Sequence, residues 1–155
     1  MAIFVSKVKI DTKGLDKLVK RVEEIKKAQL DVGYFDDIHQ ASGLPVAAIA
    51  AMNNEGVPEN STPARPFVTE SLIMSFENKA AMRPVRSLLD IKIPLKLTLS
   101  RIGGQAVELF KWNIYNGAWV DNAPYTISLK GVNSPLVDTG EMADLTLYRI
   151  TTPFA

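Results

Sequence analysis

Apolar and polar residues alternate along "IFVSKVKID" (residues 3–11), the period of a strand with one buried face. The period then lengthens. In "KGLDKLVKRVEEIKKAQ", Leu15, Leu18, Val22 and Ile25 recur at helical spacing, which predicts a helix with that row inward and its charged residues outward. Asp11 or Thr12 offers its N-cap. "LDVGYF" (30–35) returns to the strand period, with Gly33 marking a bulge or a close approach. The opening is a strand–helix–strand unit.

Polar "DDIHQASG" (36–43) connects this unit to a short helix, "PVAAIAAMNN", begun by Pro45 and stopped by Gly56. A proline-rich loop follows, "NNEGVPENSTPARPF" (53–67). Pro66 then starts a helix through about residue 82, with Phe67, Ser71, Met74 and Val68, Leu72, Phe76 as adjacent rows. Pro84 kinks or interrupts it, and Pro94 starts another. "PLKLTLSRIGGQAVELFKWNIYNG" keeps Leu95, Leu99, Ile102, Ala106, Leu109 and Asn113 on one face, across Gly103-Gly104, and ends near Gly117. "WVDNAPYTISLKGVNSPLVDTG" reads as irregular, and "DLTLYRI" (144–150) as a last strand. The expected fold is α+β in one domain spanning 1–155. About three strands form a small antiparallel or mixed sheet, packed with several helices that include a long helical hairpin.

Composition narrows the chemistry. Hydrophobic residues make up 46% and charged residues 23%, the balance of an ordinary soluble globular chain. The formal charge is +1, so no global field points to nucleic acid or an anionic membrane. Cysteine is absent, which removes disulfides, thiolate catalysis and cysteine-based metal centres and suits a reducing cytosol. The first residues lack the layout of a signal peptide, and no stretch approaches the ~20 apolar residues of a membrane span.

Candidate catalytic groups are sparse. His39 lies beside Asp36 and Asp37, but no second imidazole accompanies it, and a solvated loop is the simpler reading. Ser42 and Ser100 have no partner at a recognisable spacing for nucleophilic catalysis. "IGGQA" has neither dinucleotide nor P-loop spacing and fits close helix packing. "VDTG" shares Asp-Thr-Gly with aspartic proteases, yet occurs once, with fifteen residues after it. No cofactor or metal is expected. One charge feature stands out: Arg83, Arg86, Lys92, Lys96 and Arg101 against Asp90 alone. Such a run is either a solvated face or a contact for nucleic-acid phosphates, with no aromatic interleaved.

The order of the proline-bounded segments carries a resemblance. Val32-Gly33-Tyr34-Phe35, Ile49-Ala50, Asn54-Glu55-Gly56 and Pro63-Ala64-Arg65-Pro66-Phe67 are followed, after the long helical stretch, by Trp119, Thr126-Ile127, Lys130-Gly131 and Pro135-Leu136-Val137-Asp138-Thr139-Gly140. From about residue 30 to 150 this resembles the tail-completion and neck proteins of long-tailed bacteriophages, including the minor tail protein Z type. Met142 stands where leucine is usual, Leu145-Thr146 replaces Ser-Ile, and "VPENST" lengthens the loop before "PARPF".

The resemblance implies a structural virion protein with no catalytic site. It would be made in the host cytoplasm and assembled with copies of itself into a ring at the head–tail junction. Its neighbours would be connector or neck proteins and tail-tube or tail-terminator proteins, with passing contact to genomic DNA and none to a membrane. A tail-terminator ring capping the tail tube, or a DNA-contacting connector module using the 83–101 stripe, are the alternatives.

Assembly needs surfaces, and the candidate residues are Glu55, Arg65, Pro66, Phe67, Trp119, Tyr125, Asp138, Thr139 and Gly140. Arg65, between restricted neighbours, is a pre-organised guanidinium for a carboxylate of its own chain or of a neighbouring subunit. Pro66 sets a helix start above a buried Phe67. Asp138-Thr139-Gly140 reads as a turn that orders the last strand, or as a contact in its own right. Trp119 and Tyr125 are expected exposed on irregular backbone, as interface anchors.

Overall fold

The computed structural model describes residues 11–151, so the strand expected over 3–11 falls, but for Asp11, outside the described residues. In chain order these form α1 (Lys13–Lys27), β1 (Gln29–Gly33), α2 (Val46–Glu55), a single 3₁₀ turn (Pro58–Asn60), α3 (Phe67–Glu77), α4 (Arg83–Arg86), α5 (Leu95–Asn116), α6 (Pro124–Lys130), α7 (Glu141–Asp144) and β2 (Leu147–Thr151). The class is α+β. The described sheet has two antiparallel strands, paired from Gln29 opposite Thr151 to Gly33 opposite Leu147.

A two-stranded ribbon is marginal alone. Here α5 supports it, touching both strands as well as α1, α3, α4 and α7. Gly103 sets the distance: a Cβ there would lie 2.6 Å from the Tyr148 ring and 3.0 Å from Leu30. This is the close packing expected of "IGGQA"; Gly104 meets nothing within 4 Å. The buried face of α5 runs through Thr98, Leu99, Gly103, Val107, Phe110, Asn113 and Ile114. It is turned by about one residue from the predicted stripe, because a hydrophobic pattern passes over a glycine that makes the contact.

Three other boundaries moved. α3 ends at Glu77, five residues early, because the Asn78 side chain accepts the N–H groups of Ala80 and Ala81 and so competes with the helix. Between Trp119 and Gly140 the chain is not irregular throughout. Pro124 sits in the first turn of α6, and Gly131 closes it at φ 72. Here proline acts as a starter. β2 begins at Leu147 rather than Asp144, because the preceding residues close α7.

α1 also departs from its pattern. Leu15 and Leu18 are exposed, while Arg21 is the buried residue of the helix. A Cβ at Gly33 would meet nothing within 4 Å; what the glycine supplies is a φ of 149 at the strand end. The main core lies under the proline-rich loop and combines Val46, Ala50, Phe67, Ile114, Met142 and Ala143.

Candidate assembly site

The helix end "NNEG" and the segment "PARPF" are stitched together locally. Gly56 leaves α2 at φ 78, where a Cβ would press to 2.7 Å from the Ala64 nitrogen. The Asn54 side-chain oxygen accepts the Val68 N–H at 3.0 Å and satisfies one of the free donors at the start of α3. Pro66 occupies the N-cap position, and Phe67 is fully buried below it. Complete burial of a phenylalanine is worth about 2–3 kcal/mol. The Tyr34 ring meets Phe67 edge-on at 6.4 Å. Burial pushes the Tyr34 hydroxyl up to about 12.

Arg65 is 4% exposed. Its Nε donates to the Val120 carbonyl at 2.9 Å, and its Nη2 lies 3.2 Å from both the Asp121 carbonyl and the Asn122 Oδ1. Among the described residues its hydrogen-bond partners are therefore carbonyls, not the carboxylate its geometry suggested. Burial lowers its pKa from the ordinary value. The clamped loop is held from its other side by Asn133, which accepts the Asn122 N–H at 3.0 Å and donates to the Asp121 carboxylate at 2.7 Å. Arg65 thus makes a contact within its own chain.

Trp119, expected to be exposed, is half-buried. Its Nε1 donates to the Asn113 carbonyl at 3.1 Å, and its ring occupies the space a side chain at Gly117 would need. Asn113 in turn donates to the Phe67 carbonyl and the Ser71 hydroxyl, which ties α5 to the start of α3.

Asp138, Thr139 and Gly140 form the expected turn, but it leads into α7 first. The Thr139 hydroxyl accepts the Glu141 N–H at 3.3 Å, and Gly140 has φ 87 with the Tyr115 hydroxyl 3.1 Å from where its Cβ would be. Upstream, Lys130 donates to the carbonyls of Ser134 and Val137. Those anchors flank Leu136, whose φ of 61 is a left-handed conformation that costs a branched residue on the order of 1 kcal/mol.

The two motif segments, 70 residues apart in sequence, share one pocket of about 240 Å³, lined by Asn53, Arg65, Asn122, Lys130, Asp138 and Glu141 among others. Of the candidates, the structure brings together Arg65, Asp138, Thr139 and Gly140 here, with Pro66 and Phe67 adjoining in the chain. Glu55 stays outside, exposed at the end of α2, as does Tyr125, 73% exposed on α6. Arg83, Arg86, Lys92, Lys96 and Arg101 are all exposed on α4, the start of α5 and the turn between them.

One constellation was missed. Ser42 has a partner after all: its Oγ lies 2.8 Å from His39 Nδ1, while His39 Nε2 is 3.5 Å from a Glu141 oxygen. The Ser42 backbone N–H also lies 3.2 Å from Nδ1. The order resembles a proton relay, but the donors an oxyanion would need are committed. Gly43 N–H goes to the His39 carbonyl, and Leu44 N–H to Ser42 Oγ. Glu141 also accepts the Gln40 N–H, so the group latches loop 39–44 onto α7. No spacing rule reaches across the hundred residues from His39 to Glu141. Asp36 pairs with Arg149, whose guanidinium lies 3.9 Å from the Phe35 ring centroid.

Comparison with protein-family models, with curated proteins and with solved structures finds no match.

Proposed function

We propose that this chain is a structural protein of a tailed-bacteriophage virion. Copies of it assemble as a ring at the head–tail junction and complete the tail or neck, between connector proteins and tail-tube or terminator proteins. The observation that carries the reading is the convergence of "PARPF" and "PLVDTG" on one junction, in a chain whose ordered motifs resemble that family. The groups there hold backbone: Arg65, Lys130 and Asn54 end on or cap main-chain atoms. They fix the angles between segments, and no nucleophile with a vacant oxyanion site stands among them.

The surface supports assembly in the same sense. α3 turns Leu72, Ile73 and Phe76 outward, with Phe76 72% exposed. α6 turns out Tyr125 and Leu129, one helical turn apart and both about 70% exposed. Two different apolar ridges on one subunit suit the head-to-tail contact that closes a ring.

Electron microscopy of particles made without this chain tests the reading. Separate or loosely joined heads and tails are expected. Normal infectious particles overturn it, and joined particles with overlong tails replace completion with tail termination.

A further inference from the structure

The near-neutral chain hides a strong charge separation. Segments 13–27 and 83–101 hold eleven of the eighteen lysines and arginines and only four of the seventeen acidic residues. They carry +7, and the rest of the chain carries −6. The fold places these two segments against each other. Arg21 Nη2 donates to the Ile93 carbonyl at 2.5 Å, and Ile91 closes a pocket of about 170 Å³ whose other walls are Lys17, Lys20, Arg21 and Glu24. Positions 17, 20, 21 and 24 share one face of α1.

Arg21 makes this more than a solvated stripe. Its side chain is 7% exposed, its Nε is 3.7 Å from Glu24, and its Nη1 has no partner among the described residues. A buried guanidinium donor left unpaired is costly and calls for a partner, a water or an anion. Three cations against one carboxylate favour an anion beside it. No ion pair among the described residues engages Lys17, Lys20, Arg83, Arg86, Lys92, Lys96 or Arg101.

We propose that the α1 face bearing Lys17, Lys20 and Arg21, with the 83–101 segment beside it, binds the phosphate backbone of double-stranded DNA. Neither segment contains an aromatic residue. Without a stacking platform, single strands gain little here, whereas a duplex backbone needs only charge and forked donors. The acidic remainder of the chain repels DNA from the other faces and orients the contact. The inference stands on this charge geometry and is independent of the head–tail reading.

The test is the binding of a short fluorescent duplex to the full chain, followed by anisotropy between about 50 and 200 mM salt. Log affinity should fall linearly with log salt, by about 0.9 per phosphate neutralised. Lys17→Ala with Lys20→Ala, and Lys92→Ala with Lys96→Ala, should each make that slope shallower by about two. All four side chains are exposed, so the variants keep the fold, which circular dichroism verifies. Lys111→Ala, about 22 Å along α5 from Lys96, should leave the slope unchanged. Absence of duplex binding at low salt, or a slope indifferent to the four alanines, overturns the proposal. So does saturable binding of inorganic phosphate without duplex binding, or preference for phosphatidylserine vesicles over duplex.

Discussion

Arg65 and Arg21 are both buried arginines that end on backbone carbonyls far away in sequence, and they differ in what their remaining donors meet. Arg65 reaches three consecutive residues, 120–122, and works as a staple between a helix entry and a loop. Arg21 reaches one carbonyl, at Ile93, and pairs with Glu24 at 3.7 Å, while its Nη1 has no partner among the described residues. A guanidinium has five donors in a rigid fork, so the groups those donors meet separate two roles that look alike in sequence. The first arginine holds the protein together. The second has a buried donor, Nη1, with no partner among the described residues.

The difference is breakable, beginning with its largest effect. Arg65→Ala removes three hydrogen bonds at once, made by a side chain that is itself buried. A loss of about 3 kcal/mol is expected, or roughly 6–12 °C in melting temperature. Arg65→Lys should recover less than half, because an ammonium cannot reproduce the fork. Thermal melts of the purified chain check both, and a loss below about 1 kcal/mol for alanine would reduce Arg65 to the status of a surface charge.

Alkaline pH probes the same side through Tyr34, which packs edge-on against Phe67. Its folded pKa, about 12, lies above the unfolded value near 10, so the folded state binds the proton more tightly. The contribution is complete below pH 10 and is lost as pH rises through 12, amounting to roughly 2–3 kcal/mol. Denaturant titrations of the wild type against Tyr34→Phe isolate it: only the wild type should lose this increment.

The smallest stability effects belong to the Arg21 side. Arg21→Ala should cost about 1–2 kcal/mol, for one carbonyl bond and some packing. Lys17→Ala with Lys20→Ala should stay within about 0.5 kcal/mol of wild type while weakening duplex binding. A large stability loss from those two lysines would erase the contrast between the arginines.

Much of the frame was legible because it rests on local chemistry. α5 announced itself through a period sustained over six turns, and α2 through Pro45 and Gly56. What was not legible depends on separation or on competition. α3 stops at a side chain that outbids its helix. α6 begins at a proline that reads equally well as a breaker. Arg65 was visible as rigid and anchored, yet its partners lie 55 to 57 residues on, and two of the three are backbone carbonyls, which carry no residue signature. Arg21 stood on the charged side of an amphipathic helix, where burial is the least expected outcome, and the net charge of +1 concealed the opposed fields of the two regions.

The assembly reading has its most direct test in add-back. Extracts producing heads and tails without this chain receive the purified protein, and joined particles are counted by electron microscopy. The account predicts that joining rises with added wild-type protein and fails with Arg65→Ala. Joined particles in equal number with and without the protein would contradict it.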